Sequence, residues 1–259
     1  MSGLSCSVAE ELVLNSLRKY VRSAGCNCLA LSGGIDTSVV ALAARLEGLP
    51  LLGVTVFYES GLPRDLPYAS YVASVLGIRH HVVSVSDDYI AERGRLIVEC
   101  TGRRDFVELR NDVVFLKALE EAARLGCSCI LLGDGGDEVF AGYSFMLSLD
   151  SRALRETMLR MAVRGRYPGL ELAECIGVEA HAPLLSDEVL ETVLLAPIDC
   201  IRGGMLEGKA LLRSILRRYG LALVADRLKT PAEQGAGTDG LGRHELEAIT
   251  GLELVDCHC

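Results

Sequence analysis

The chain has 259 residues, 50% of them hydrophobic and 24% charged, with a formal net charge of −9. That composition fills the core of one large or two small domains and excludes a disordered chain. No apolar run reaches the ~18 residues of a membrane span, and Met1–Leu14 carries Glu10 and Glu11 without the basic start of a leader, so a cytoplasmic protein is expected. The acidic balance argues against a chain that grips nucleic acid by bulk charge. The arginine clusters at Arg152, Arg155, Arg160, Arg164 and Arg166 and at Arg213, Arg217 and Arg218 read as solvated helix faces.

In chain order, residues 7–24 read as an amphipathic helix with Val8, Leu12, Leu17 and Val21 on one face. A short apolar strand, 28–31, follows, then a glycine loop and a helix to Leu46. Residues 51–57 and 81–85 read as buried strands, 65–77 as a helix closed by Gly77, and 87–100 and 111–125 as further helices. A fourth strand is expected at 129–132. Strands alternating with helices imply right-handed βαβ units and a parallel sheet. Beyond about residue 145 only helices are expected, at 150–164, 186–195, 207–218 and 243–250. The division is an α/β core at 1–145 and a helical region at 146–259, packed as one unit.

Ten cysteines include three Cys-x-Cys pairs: Cys26 with Cys28, Cys127 with Cys129 and Cys257 with Cys259. The first two open apolar strands, where small buried side chains explain them. Of the three, only the tail Cys257-His258-Cys259 offers a metal or redox element, and a frayed terminus is the preferred reading there. Three asparagines and one glutamine make a composition poor in thermolabile amides, a setting in which disulfides are compatible with a cell interior. The runs 25–31 (GCNCLAL) and 126–132 (GCSCILL) echo each other, and each leads into a loop of glycine and aspartate.

Those loops carry the chemistry. Ser32-Gly33-Gly34-Ile35-Asp36-Thr37-Ser38 joins a strand to a helix, where glycines admit close ligand approach and the helix start attracts anions. An aspartate in such a loop repels phosphate unless a cation lies between them, so Asp36 reads as a metal ligand rather than a helix cap. Gly133-Asp134-Gly135-Gly136-Asp137-Glu138 has the make-up of a divalent-cation pocket. A parallel sheet delivers both loops to the edge where ligands bind.

With both loops in place, the chain resembles the synthetase domain of asparagine synthetases, within the pyrophosphate-loop ATPases. The first loop is similar to their S-G-G-x-D-S-S, with Thr37 for the first of the last two serines, and 133–143 (GDGGDEVFAGY) to their G-[ED]-G-[SGA]-D-E-[LV]-F-G-G-Y. Asp65-Leu66 with Ala69, Leu76-Gly77 before His80-His81, 177–185 (GVEAHAPLL), Lys209 with Leu212-Arg213, and Arg227-Leu228-Lys229 with Gly235 and Gly237 follow in the family's order. The resemblance implies an adenine nucleotide alpha-hydrolase-like fold. It implies adenine held near Leu31 and Val56, and the pyrophosphate of ATP cradled by Ser32, Gly33, Gly34, Asp36, Thr37 and Ser38 with Gly133. Mg²⁺ would sit on Asp36 and Asp137, and Lys229, Asp134 and Arg227 would be the catalytic set. A carboxylate would be adenylated with loss of pyrophosphate, and ammonia or another amine would displace AMP. Neighbouring histidines in a strand face opposite sides, so His80-His81 reads as structural.

Departures are specific. The family's glutaminase domain and its amino-terminal cysteine are not found here: residue 2 is Ser and the first signature begins at Ser32, so ammonia from solution or from a separate amidotransferase subunit is expected. His181, Leu184 and Ser186 replace the family's Arg, Phe and Asp, and Arg110-Asn111-Asp112-Val113-Val114 stands for Arg-Ala-Ser-Thr-Pro, all expected near the acceptor pocket. Three readings follow: an amide-forming ligase acting on a carboxylate such as aspartate, in a chain that can form homo-oligomers; an adenylating tRNA sulfurtransferase needing a reactive Cys175, Cys200 or tail cysteine; and a non-catalytic nucleotide-binding module.

Overall fold

A computed structural model describes residues 4–203 and 208–256. The tail motif Cys257-His258-Cys259 lies outside the described residues. The elements run α1 (Cys6–Ala24), β1 (Cys28–Ala30), α2 (Ile35–Leu46), β2 (Leu52–Tyr58), α3 (Leu66–Leu76), β3 (Arg79–Val85), α4 (Asp87–Thr101), α5 (Phe106–Arg124) and β4 (Ile130–Leu131). Short helices α6 (Gly136–Val139) and α7 (Ser144–Leu147) follow, then α8 (Ser151–Arg164), α9 (Pro168–Ile176), β5 (Ala180–His181), α10 (Asp187–Leu195) and α11 (Ile198–Arg202). The chain closes with α12 (Ala210–Arg218), α13 (Ala222–Ala225), α14 (Ala232–Ala236) and α15 (Arg243–Thr250).

The sheet order is β3-β2-β1-β4-β5 and every described pairing is parallel. Successive strands step outward from β1 to β3, and β4 returns to the other side of β1. The order therefore reverses between β1 and β4, and the crevice beyond their carboxyl ends is where an open α/β sheet binds ligands. One core packs Leu29, Leu31 and Leu131 against the α1, α2, α10 and α12 side, and a second packs Val54, Val56 and Ile130 against α4, α5 and α9. Alternate residues of each strand feed opposite cores, as a sheet covered on both faces requires.

Several expectations change. β5 lies in the region read as helical; it is two residues long, too short for a periodicity, and is held by Ile130 N–H on Glu179 O and Leu132 N–H on His181 O. α5 begins five residues early because Asp105 caps it, its carboxylate accepting from the N–H groups of Val107 and Glu108. On α1 the buried face is Ala9, Val13, Leu14, Leu17 and Val21, while Val8 and Leu12 are exposed. Arg213 is not on a solvated face: it is buried and donates to the carbonyls of Gly208, Ala225 and Arg227. No helix among the described residues is long and apolar enough to cross a membrane.

The cysteines are not merely small core residues. Cys26 is bonded to Cys129 and Cys28 to Cys127, so the two echoing segments lie side by side, stapled at the entrance of β1 and β4 on both faces of the sheet. Cys6–Cys200 and Cys100–Cys175 tie α1 to α11 and α4 to α9. Cys26–Cys129 and Cys28–Cys127 span 103 and 99 residues, and a loop near 100 residues restricts the unfolded chain by about 4–5 kcal/mol. The second staple closes almost no additional loop once the first exists, so the pair is worth little more than one. We therefore expect Cys28→Ala with Cys127→Ala alone to cost little in urea unfolding, and removal of both staples to cost about 2–5 kcal/mol. Two full and additive losses would refute this account of the staples.

Candidate active site

The glycine loop turns out of β1 at Leu31 and enters α2, whose N-cap is Gly34, so Asp36 sits in the first helical turn and is not the cap. Ser32 Oγ accepts from Gly34 N–H at 3.2 Å and lies 3.1 Å from Thr37 Oγ1, which ties the loop to the turn. The second loop leaves β4, reaches φ +90° at Gly135 and starts α6. A Cβ on Gly136 would overlap the Asp36 carboxyl, and one on Gly142 would overlap Asp137 and the Lys209 side chain. These two glycines let a carboxylate and an ammonium pack directly on backbone.

A cavity of about 410 Å³ opens over the carboxyl ends of β1 and β4. Of the residues expected at the site, Leu31, Ser32, Gly34, Asp36, Thr37, Val56, Gly133, Asp134, Asp137, Arg227 and Lys229 line it. Gly33 and Ser38 do not. Gly33 backs onto Tyr68 and Ala69 at φ +72°, and Ser38, one turn into α2, is fully buried. Leu31 is committed through its N–H to Val54 O and through its carbonyl to Thr55 Oγ1, so it offers a ligand an apolar wall, shared with Val56, Phe115 and Ala118.

The centre of the site is a cluster of charges. Lys209 Nζ donates to Asp36 Oδ2 at 2.6 Å and lies 3.0 Å from Asp137 Oδ1. Lys229 Nζ lies 2.8 Å from the same Asp137 oxygen and 4.4 Å from the centre of the Tyr143 ring. Burial works against the Asp137 charge, but the two ammoniums outweigh it and hold the carboxyl below its ordinary range. Burial also works against the Lys209 charge, and Asp36 and Asp137 outweigh it and raise the ammonium. Burial pushes Asp36 up against the opposing pull of Lys209, with Asp137 and Glu138 adding to the rise. For the contact itself the charged pair fits the geometry, because Lys209 answers two carboxylates at once.

Asp134 stands apart from both lysines, and burial, then Glu138 and Asp36, pushes it up to about 7. Asp36 Oδ1 and Asp134 Oδ2 are buried without a hydrogen-bond donor, while Asp137 Oδ1 is answered by the two ammoniums. Hard carboxylate oxygens left unsatisfied in this way suit Mg²⁺. Arg227 is in the wall, but its guanidinium is spent on Asp65, Thr230 Oγ1 and, at 3.4 Å, Gly33 O, and it stacks 4.1 Å over the Tyr68 ring. It positions the glycine loop against the segment that carries Lys229.

Lys209, Arg213, Tyr143 and Glu138 belong to this site beyond the expected set. The sequence signal was present for Lys209, one of four lysines among 26 basic residues, but nothing local linked it to Asp36, 173 positions away. Tyr143 donates to Glu138 Oε1 at 2.5 Å. His80 and His81 go opposite ways, to Thr55 Oγ1 and to Glu121. His181, Leu184 and Ser186, expected near the acceptor pocket, do not line the cavity: His181 contacts Glu179 and Tyr20, and Leu184 is core.

The asparagine synthase family matches residues 9–171, more than half of the chain. The chain belongs to that family. Asparagine synthetase B (glutamine-hydrolyzing) of Escherichia coli is 27% identical over 231 residues, which cover 80% of this chain and 41% of that protein. Asparagine synthetase (glutamine-hydrolyzing) 1 of Arabidopsis thaliana is 26% identical over 179 residues, 63% of this chain and 30% of that one. The chain thus spans less than half the length of these relatives. A tRNA-specific 2-thiouridylase of Zymomonas mobilis is 32% identical over 126 residues, 40% of this chain and 32% of that protein. NMN synthetase from Francisella tularensis superposes with a TM-score of 0.50 at 14% identity, over 97% of this chain and 89% of that one, a likeness of fold.

Arg103 and Glu108 also line the cavity, and buried Asp112 lies 3.3 Å from Arg103. Burial pushes Asp112 up to about 7 against the pull of Arg103. An unfolded aspartate releases its proton near pH ~3.9, so between about pH 4 and 7 the folded state alone keeps the proton. Stability therefore falls as pH rises through that window and levels off above it. Asp112→Asn removes the titration. The variant's stability relative to the parent is expected to improve between pH 5 and pH 8, by about 2–3 kcal/mol. Thermal melts at the two pH values measure it, and an unchanged or reversed difference would contradict the assignment.

Proposed function

We propose that this chain is the ATP-using part of an amide-forming ligase. It would adenylate a small carboxylate with release of pyrophosphate, then form an amide as ammonia or another amine displaces AMP. The observation that carries this reading is the convergence of Asp36, Asp134, Asp137, Lys209 and Lys229 at the crevice between β1 and β4. Family membership supports it.

Each residue has a task on this reading. Mg²⁺ held by Asp36 and Asp137 would neutralise phosphate charge when bound. Lys229, 42% exposed and less confined than Lys209, would supply positive charge to the oxygens of the pentavalent phosphorus and of the departing pyrophosphate. Arg227 and Arg213 fix the segment that carries Lys229, through Asp65 and through the Ala225 and Arg227 carbonyls. Asp134, pushed up to about 7, would take a proton from the incoming amine near neutrality. The nitrogen would come as free ammonia or from a separate amidotransferase subunit.

The tRNA sulfur-transfer reading needs a thiol at the site. Cys175 and Cys200 are bonded to Cys100 and Cys6, and no cysteine among the described residues lines the cavity. That weighs for the ligase.

Product analysis with Mg-ATP tests the proposal: no acceptor, aspartate, and aspartate with ammonium, each with the parent chain, Asp36→Asn and Lys229→Ala. Aspartate-dependent AMP and pyrophosphate, with asparagine only when ammonium is present, are expected. Lys229→Ala should slow AMP formation on the order of 10²–10³-fold with ATP binding retained. ATP bound but never consumed, with aspartate or any other small carboxylate, would sink the ligase and leave a nucleotide-binding module.

A further inference from the structure

The position of Lys209 has a consequence for metal binding. Its ammonium is 2.6 Å from Asp36 Oδ2 and 3.0 Å from Asp137 Oδ1. A magnesium ion held by the same two carboxylates would need oxygen contacts of about 2.0–2.1 Å. The two cations compete for one place, and a divalent ion beside an ammonium that cannot withdraw is repelled in a site with little water to screen it. Lys229 differs: of the two carboxylates it is paired with Asp137, it also lies on the Tyr143 ring and near the Gly142 carbonyl, and it is half-exposed.

The chain holds Lys209 there deliberately. Its backbone is left-handed at φ +54°, one of two non-glycine residues with positive φ among those described, which costs about 1 kcal/mol or more. The strained residue is locked from both sides: its N–H donates to Phe140 O, and the preceding Gly208 carbonyl accepts from buried Arg213. The stem passes over Gly142, where any side chain would block it. A lysine needed only for net charge would not require a strained, braced backbone and a glycine beneath it.

We propose that Lys209 is an internal counter-ion that keeps the Asp36–Asp137 pair closed to divalent cations until a triphosphate draws its ammonium away, so that metal enters only with nucleotide. Lys209 is thus a positioning residue, and the proposal rests on the reading of Asp36 and Asp137 as metal carboxylates. The backbone stays fixed while the four side-chain torsions move the ammonium, and the carboxylates exchange one monovalent partner for a divalent one.

Mn²⁺ binding to the nucleotide-free protein, followed by electron paramagnetic resonance, tests this without catalysis. The parent chain is expected to bind Mn²⁺ weakly. Lys209→Met should bind it at least ~10-fold more tightly, because two carboxylates are left without a counter-ion. Lys209→Arg, which keeps the charge, should not gain, and Asp36→Asn in the Lys209→Met background should abolish the gain. Equal affinity in the parent and Lys209→Met would overturn the proposal. So would tight Mn²⁺ binding by the nucleotide-free parent at Asp36, shown by its loss in Asp36→Asn, an arm that stands even where Lys209→Met does not fold. If the ligase assay finds no product while these shifts appear, the counter-ion role holds and the reaction assignment alone fails.

Discussion

Two carboxylates that share one ammonium set the geometry of this molecule. Asp36 comes from the loop after β1, Asp137 from the loop after β4, and Lys209 from the start of α12, so their meeting fixes three distant segments at once. Paired strands provide the distance: β1 and β4 are adjacent and parallel, which brings their exit loops side by side. Half-buried like charges 101 positions apart in sequence would repel without the lysine between them. Removing the ammonium leaves uncompensated buried charge, the costly way to break such an arrangement.

The rest of the structure acts on that cluster from two sides. Below the sheet's carboxyl edge, Cys26–Cys129 and Cys28–Cys127 staple the entrances of the same two strands, so their relative register is set by covalent bonds at one end and by charge at the other. Above it, Arg213 and Arg227 spend their donors on backbone carbonyls and Asp65. These arginines convert the helical segments after residue 208 into a roof that presents Lys229. Preorganised charge is useful in catalysis because it does not have to reorganise when the reaction occurs.

What the sequence made legible follows from how local each signal is. The two loops could be read because glycine, aspartate and hydroxyl residues lie within seven positions between a strand and a helix. Lys209 could not be assigned in the same way, since its role depends on a left-handed backbone and on partners 173 and 72 positions away. Ser38 shows the opposite error: it belongs to the motif, yet the helical turn carries it behind the wall, where it is fully buried. The two-residue strand β5 had no periodicity to read, and the cysteine pairs revealed their partners only once β1 and β4 were neighbours.

The departures from the family pattern also sort by structure. His181 packs beside the Cys26–Cys129 disulfide and against Tyr20, on the α1 side of the sheet, and Leu184 is core, and neither lines the cavity. Asp112 acts differently. It does not line the cavity, but it contacts Arg103, which does, and Arg103 also approaches Glu108 and Glu171. Arg166, another cavity residue, is paired to the same Glu171. A substitution at 112 is therefore felt at the cavity wall through one guanidinium, whose orientation three carboxylates hold. The change at 112 has a path to the cavity lining through Arg103.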